Sequence, residues 1–200
     1  MILEKIVVGG FLTNCYIIGC EKKKECGIID PGDDVERIEQ IIKKNNLKPI
    51  MIINTHGHYD HIKGNNFFNL PVYIHKYDKE FLIDPEKNLS SLFSTPYICK
   101  NNIIQIEEKD IIKIGNLSFE VIHTPGHTPG SICLKLNNIL FSGDTIFSDG
   151  IGRTDFPFGN EELLIKSIKE KILVLPDEIE VYPGHGEKTK IKNLKKWLIL

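Results

Sequence analysis

Residues 50–61 of the chain read IMIINTHGHYDH, an apolar run followed by a cluster of histidines and one aspartate. The strand predicted over Ile50–Asn54 begins after Pro49, and its continuous apolar character is typical of a strand buried on both faces. Three imidazoles and one carboxylate follow within residues 56–61, where this core strand ends. Capping or surface exposure would explain one such residue at a time, so the whole cluster indicates a metal site.

The spacing of this cluster predicts two metal ions. A loop that leaves a rigid strand can aim alternate side chains at one point, so His56 and His58 are expected to converge on a first ion. If the chain turns into a helix after His58, Asp60 and His61 point away from that pair and reach a second ion. Imidazole nitrogen and carboxylate oxygen are the donors that borderline metals such as zinc prefer.

Three further candidate ligands stand just after predicted strands. His127 and His185 each follow a Pro-Gly turn, in TPGHTPG and YPGHG, and such a turn aims one imidazole inward. Asp144, in FSGDT, lies past an apolar strand, and its two carboxylate oxygens suit a bridge between paired ions. Each signal is weak alone, but together four strand ends offer ligands.

The predicted elements run in the order strands then helix, and this order occurs twice. Helices are predicted over residues 35–45 and 161–172, and a basic final helix ends near Trp197. Strands are predicted by their apolar and β-branched runs at 3–8, 14–19, 26–29, 50–54, 71–74, 111–114, 117–122, 132–136, 139–141 and 180–182. Two similar halves that pack sheet on sheet, with helices outside, predict a four-layer α/β/β/α sandwich. Because nothing resembles a linker, residues 1–200 are expected to form a single domain.

The segment between the two halves carries most of the irregular sequence. Residues 77–83 predict a helical turn or two, and residues 84–102 predict a long loop with a lid or substrate-contact role. Aromatic residues in and after this segment could line a substrate groove or cover the core: Phe93, Tyr97, Phe156 and Phe158. The two remaining histidines, His75 and His123, are interpreted as structural, with His123 as a possible support for a ligand.

Composition narrows the class of partner. The formal net charge is -2 and the basic residues are scattered, which argues against nucleic acid and favours a small-molecule substrate. The five cysteines are widely spaced without a CxxC pair, so neither a disulfide framework nor a thiolate zinc site is expected. No apolar run approaches the roughly 20 residues that span a bilayer, so a cytoplasmic protein without membrane contact is expected.

The ligand pattern resembles that of the metallo-β-lactamase superfamily. Its HxHxDH motif matches residues 56–61, and its later ligands match the three candidates at the other strand ends. The resemblance implies a first metal held by His56, His58 and His127, a second held by Asp60, His61 and His185, and Asp144 shared between them. It implies two divalent ions per chain, with zinc expected and iron or manganese as alternatives.

Within the superfamily, the chain resembles short glyoxalase II-like proteins. Asp144 stands where β-lactamases commonly place a cysteine, which makes β-lactam cleavage a side activity at best. The string Gly152-Arg153-Thr154-Asp155-Phe156 is similar to one in glyoxalase II-like proteins and in persulfide dioxygenases. Full-length glyoxalase II has a lysine matching Arg153 that helps hold the glutathione carboxylate, so Arg153 is the candidate for substrate binding; the alternative is an ion pair with Asp155. Compared with the full-length enzyme, this sequence is expected to lack the helical extension that supplies much of glutathione binding there.

These observations predict a thioester hydrolase. The expected reaction is cleavage of an acyl thioester, such as a hydroxyacylglutathione, by a metal-bridging hydroxide that Asp60 orients. An alternative is a mononuclear-iron persulfide dioxygenase acting on glutathione persulfide, with His56, His127 and Asp144 as a facial triad. A third interpretation, a metal-binding domain without catalysis, requires a closed site with no open coordination position.

Overall fold

The computed structural model of the protein describes residues 1–93 and 95–197. Ser94 of the predicted long loop, and residues 198–200 of the predicted domain, lie outside the described residues. Within the described part, no helix is both long and apolar enough to cross a bilayer.

The first sheet contains six strands in chain order: β1 (Ile2–Val8), β2 (Thr13–Gly19), β3 (Glu25–Ile29), β4 (Lys48–Ile53), β5 (Val72–His75) and β6 (Ile103–Ile106). Strands β1 to β3 pair antiparallel, whereas β3 to β6 pair parallel. A parallel pair needs a crossover, and helix α1 (Val35–Lys44) supplies it between β3 and β4. Strand β6 is not predicted from the sequence, because the run Ile-Ile-Gln-Ile is short and does not alternate strictly between apolar and polar residues.

The second sheet also contains six strands: β7 (Ile111–Ile114), β8 (Leu117–His123), β9 (Ile132–Leu136), β10 (Ile139–Gly143), β11 (Glu180–Pro183) and β12 (Thr189–Lys190). All neighbours pair antiparallel except β10 and β11, which are parallel. Their crossover contains α4 (Glu161–Ser167), which continues into a π-helical turn at Ile168–Ile172. The Asn160 side chain caps α4 by accepting a hydrogen bond from the Leu163 amide.

The remaining helices are short. They are α2 (Tyr59–Ile62), α3 (Asn65–Phe68), α5 (Ile191–Trp197) and two 3-10 helices at Lys76–Leu82 and Ser90–Leu92. The first 3-10 helix corresponds to the helical turn predicted over residues 77–83.

Three apolar clusters separate four layers. Successive residues of β4 point to opposite faces of the first sheet, so Ile52 packs in the cluster under α1 and Ile53 in the cluster between the two sheets. The central cluster includes Phe119 and Phe141 of the second sheet. A third cluster joins the second sheet to α4 and α5. The predicted α/β/β/α sandwich is confirmed, and the carboxyl ends of β4, β10 and β11 open towards one edge, where the site lies.

Candidate metal centre

The chain changes direction within the histidine cluster. His58 has an extended backbone, and α2 begins at the next residue, so Asp60 and His61 lie on a helix while His56 and His58 lie on the loop before it. Gly57 permits this tight packing, because a Cβ atom there would lie 2.3 Å from the Cβ of Phe81. The turn into a helix expected from the sequence is therefore present.

The first group of donors consists of His56, His58 and His127. His127 Nε2 lies 2.9 Å from His58 Nδ1 and 3.2 Å from His56 Nε2, and all three side chains are buried. Burial lowers the pKa of each imidazole, that of His58 to about 3, so the rings are neutral and offer lone pairs. Three lone pairs aimed at one point fit a divalent cation, since shared protons cannot satisfy all of them.

The second group consists of Asp60, His61 and His185. His61 Nε2 lies 3.2 Å from His185 Nε2 and 3.4 Å from Asp60 Oδ2, and His185 Nε2 lies 3.3 Å from the same carboxylate oxygen. Burial opposes the charged form of His185, but hydrogen bonds to Asp144 and Asp60 outweigh it and raise the pKa to about 9. This concentration of negative charge again fits a cation.

Asp144 lies between the two groups. One carboxylate oxygen is 3.5 Å from His61 Nε2, and the other is 3.7 Å from His127 Nε2 and 3.5 Å from His185 Nε2. Burial would raise the Asp144 pKa, but neighbouring charged imidazoles hold it well below its usual value. Gly184 leaves room for this carboxylate, because a Cβ atom there would lie 2.1 Å from Asp144 Oδ1. The structure thus brings all seven predicted ligands together, with Asp144 placed to bridge.

Asp30 supports the second group and was not predicted from the sequence. Its carboxylate lies 3.0 Å from His61 Nδ1 and accepts hydrogen bonds from the Thr55 amide and hydroxyl, at 2.8 Å and 2.6 Å. Asp30 has a left-handed backbone with φ of 51°, which places the carboxylate beneath the ligand loop. The available signal was its position at the end of β3, beside the parallel strand β4.

Asp78 supports the first group and was also missed. This fully buried carboxylate accepts hydrogen bonds from the Gly57 amide at 2.9 Å, the Gly130 amide at 2.6 Å and the Thr128 hydroxyl at 2.7 Å. Burial raises its pKa to about 6 despite these donors. Asp78 therefore ties the loop of His56 and His58 to the loop of His127.

A cavity of about 390 Å³ opens beside the metal centre. Both donor groups reach it, through His58, Asp60, His127, Asp144 and His185. The rest of its lining is mostly apolar, and part of the predicted long loop contributes Asn88, Leu89, Leu92 and Phe93.

Arg153 borders the cavity, but its guanidinium is already paired. Arg153 Nε and Nη2 donate to the two carboxylate oxygens of Asp155, both at 2.7 Å, and the guanidinium stacks 3.8 Å from the ring centre of Phe156. Asp155 occupies two of the five guanidinium N–H groups, and the predicted contact of Arg153 with substrate stays a prediction. The backbone carbonyl of Arg153 lies 2.7 Å from His127 Nδ1 and orients that ring, a contact no side-chain pattern could indicate.

The two histidines interpreted as structural lie outside both donor groups. His75 and His123 stack on each other with ring centres 3.9 Å apart, and His123 Nε2 lies 2.9 Å from the Pro129 carbonyl. His75 ends β5 of the first sheet and His123 ends β8 of the second, so the pair joins the sheets.

Known proteins share this sequence and architecture. The model of the metallo-beta-lactamase superfamily matches residues 8–185. The hydroxyacylglutathione hydrolase GloC of Haemophilus influenzae is 36% identical, covering 98% of this chain and 96% of that protein. The crystal structure of BLEG-1, described as a B3 metallo-beta-lactamase, is 37% identical with a TM-score of 0.89, over 98% of this chain and 97% of that one. TTHA1623 in a di-iron-bound form is 29% identical with a TM-score of 0.83, over 96% and 97% of the two chains.

The family match, the relatives and the clustered donors agree with one another. The motif of residues 56–61 supplies donors to both groups of the structure. The family model, which matches residues 8–185, also spans the later ligands. The chain belongs to the metallo-beta-lactamase superfamily and is a metal-dependent hydrolase of that superfamily.

Proposed function

We propose that this protein hydrolyses acyl thioesters with two divalent ions, for which zinc is the expected metal. The observation that carries the proposal is the pair of converging donor groups, joined by Asp144 and open to one cavity. An open cavity at the donors argues against a closed structural site, which would leave no position for a substrate. The relative GloC, a hydroxyacylglutathione hydrolase by name, supports a thioester as the substrate class.

The reaction requires water and no other co-reactant. The oxygen of water forms a bond to the acyl carbon and the carbon–sulfur bond breaks, with its electron pair leaving on sulfur. The products are a carboxylate, a thiol and one proton. When bound, paired divalent ions supply a hydroxide near neutral pH and polarise an acyl carbonyl.

We assign to Asp60 the role of orienting the attacking water. Its carboxylate accepts a 3.0 Å hydrogen bond from the Thr13 hydroxyl and faces both His61 and His185, so its direction is restrained from three sides. Burial would raise the Asp60 pKa, but His61 and His185 hold it well below its usual value, so the group stays ionised.

The leaving group suits a site with few acids. Apart from the ligands, the ionisable side chains of the described cavity lining are Tyr59 and Arg153. A thiolate departs without strong protonation, whereas an amide nitrogen needs an acid. This contrast favours a thioester over an amide substrate.

The setting proposed for this reaction is the cytoplasm, with a small molecule as partner. All five cysteine thiols are free and buried, which supports a reducing compartment.

The test combines metal analysis with thiol release. Protein purified without added metal should carry about two divalent ions per chain, and the metal-loaded protein should release thiol from S-lactoylglutathione or another acyl thioester. His58→Ala should abolish most of this activity, whereas His123→Gln, which removes a histidine outside both groups, should retain it. No thiol release from any thioester, or faster cleavage of a β-lactam than of every thioester, would overturn the proposal.

The dioxygenase alternative makes an opposite prediction. Its triad would use His56, His127 and Asp144. His127 Nε2 lies 3.2 Å from His56 Nε2 and 3.7 Å from Asp144 Oδ2. It requires one iron per chain and oxygen uptake with glutathione persulfide. The complete second group of donors favours the hydrolase.

A further inference from the structure

The wall of the cavity beside the metal centre is apolar and aromatic. Its apolar lining residues come from three separate segments, at residue 11, residues 89–93 and residues 147–156: Phe11, Leu89, Leu92, Phe93, Phe147, Ile151 and Phe156. Several of them are also exposed: the solvent-accessible fraction is 52% for Phe11, 69% for Leu92 and 41% for Phe93. Exposed apolar side chains gathered around one cavity indicate a surface that binds an apolar group.

The aromatic side chains form a continuous wall that leads to the metal centre. Phe11, in the loop between β1 and β2, meets Phe93 edge to face with ring centres 5.2 Å apart. Phe93 in turn stacks on Tyr59 at 5.7 Å, and Tyr59 stands between the ligands His58 and Asp60. Phe156 contacts the His58 ring from another side at 5.7 Å. An apolar group on this wall would therefore lie directly beside the reacting atoms.

The Asn88 amide and the Arg153 guanidinium of the same wall already have hydrogen-bond partners. The Asn88 amide donates to the carbonyls of Phe81 and Tyr97, and its oxygen accepts from the Ser90 amide. Arg153, the cation of the described lining, is paired with Asp155 through two hydrogen bonds. A thiol that carries carboxylates, such as glutathione, finds no unpaired cation here among the described residues.

We propose that this site selects thioesters by their apolar surface, which packs on the Phe11–Phe93–Tyr59 wall, and does not recognise carboxylates on the thiol. This inference rests on the proposed thioesterase function and narrows its substrate class to thioesters with an apolar acyl or thiol group. Charged ends of a thiol extend into solvent and contribute little to binding.

The experiment measures binding separately from turnover. Thioethers cannot be hydrolysed, so calorimetry with the metal-loaded protein reports affinity alone. In a series of uncharged alkyl thioethers, each added methylene should tighten binding by about three- to fourfold until the cavity is filled. S-alkyl glutathione should bind within about twofold of the uncharged thioether with the same alkyl group, as expected when charged ends stay exposed.

Matched variants locate the effect on the wall. Phe93→Ala and Phe11→Ala should each lower the affinity for the longer thioethers by about tenfold, because each removes an aromatic ring on which the bound group packs. Phe67→Ala is the control, since Phe67 on α3 has a similar exposure of 47% and does not line the cavity. Affinity that ignores chain length, or that falls more than about tenfold when the glutathione carboxylates are absent, would overturn the inference.

The outcomes also separate the two proposals. If the alkyl series binds as expected and no acyl thioester is hydrolysed, the apolar site is retained and the thioesterase function is wrong. If thioesters are hydrolysed and S-alkyl glutathione alone binds, the function is retained and the apolar selection is wrong.

Discussion

Single side chains beneath the donors determine how well the centre is pre-organised. Asp30 contacts both the ligand His61 and the residue Thr55 that precedes the ligand loop. A histidine ligand whose second nitrogen is held by a carboxylate keeps one tautomer and one ring orientation. The affinity for the second metal ion should therefore depend on Asp30, although Asp30 is not one of its ligands.

We expect Asp30→Asn to lower the affinity for the second metal ion by about 10- to 100-fold, because the substitution keeps the side-chain size and removes the charge that orients His61. Metal titration followed by elemental analysis should show loss of one of two ions at limiting metal. Asp33→Asn, in the same loop but partly exposed and paired with Lys63, is the matched control. Two ions bound with unchanged affinity in Asp30→Asn would contradict this role.

The Arg153–Asp155 pair offers a second test at this scale. Asp155→Asn would free the guanidinium at the rim of the cavity, while Phe156 still holds it in place. We expect the KM for a glutathione thioester to fall by about two- to fivefold, with no change for an uncharged thioester, because exposed ion pairs contribute little free energy. Steady-state kinetics with both substrates measure this difference. Equal changes for the two substrates would show that the pair acts on the loop and not on charge recognition.

At the scale of elements, two contacts hold strands and loops of different halves together. Asp78, from the 3-10 helix after β5, ties the loop after β4 to the loop after β8. The stacked pair of His75 and His123 joins the ends of β5 and β8. Burial lowers the pKa of both imidazoles, that of His75 to about 4, although Glu107 and Glu108 oppose the shift and Lys76 and Lys171 add to it.

This pair predicts a pH dependence of stability. A folded-state pKa below the ordinary value of about 6.5 means that the neutral pair stabilises the fold above pH 6.5 and loses this contribution as the pH falls towards 4. We expect urea unfolding midpoints to fall more steeply over that window in the wild type than in the double variant His75→Gln, His123→Gln. The metal ligands titrate in both proteins, so their contribution to the pH profile cancels when the two profiles are compared. Parallel pH profiles would contradict the assignment.

For the whole molecule, the centre is assembled from both sheets. His56, His58, Asp60 and His61 follow a strand of the first sheet, whereas His127, Asp144 and His185 follow strands of the second. These ligands come together only in the folded protein, so ions that bind them stabilise the packing of one sheet on the other.

Removing metal with a chelator should therefore lower the melting temperature by about 20 °C, if each of the two ions is present at about a thousand times its Kd and so contributes about 4 kcal/mol. Calorimetry before chelation, after it and after re-addition of zinc measures the effect. His58→Ala should show a smaller shift, because one donor group is incomplete. A melting temperature unaffected by the chelator would show that the ions contribute nothing to holding the sheets together.

The sequence alone predicted the parts of this protein whose signal is local. The residues 56–61 carry four donors within six positions after an apolar strand, and the superfamily and the α/β/β/α fold that they indicate are confirmed. Strands and helices with clear apolar patterns, such as β4 and α1, were predicted for the same reason.

Only the tertiary structure decided the parts that depend on contacts between distant segments. Asp30 reaches His61 across 31 positions, Asp78 reaches Gly130 across 52, and Phe11 meets Phe93 across the cavity mouth. In the local sequence Asp30 and Asp78 look like ordinary turn aspartates, because their burial and their hydrogen bonds arise only when distant segments pack. The continuous wall from Phe11 to Tyr59 is of this kind, whereas the pairing of Arg153 with Asp155, two positions apart, was one of the two alternatives that the sequence offered. The sequence therefore determines the metal donors, while the packing of the fold assembles the apolar wall beside them.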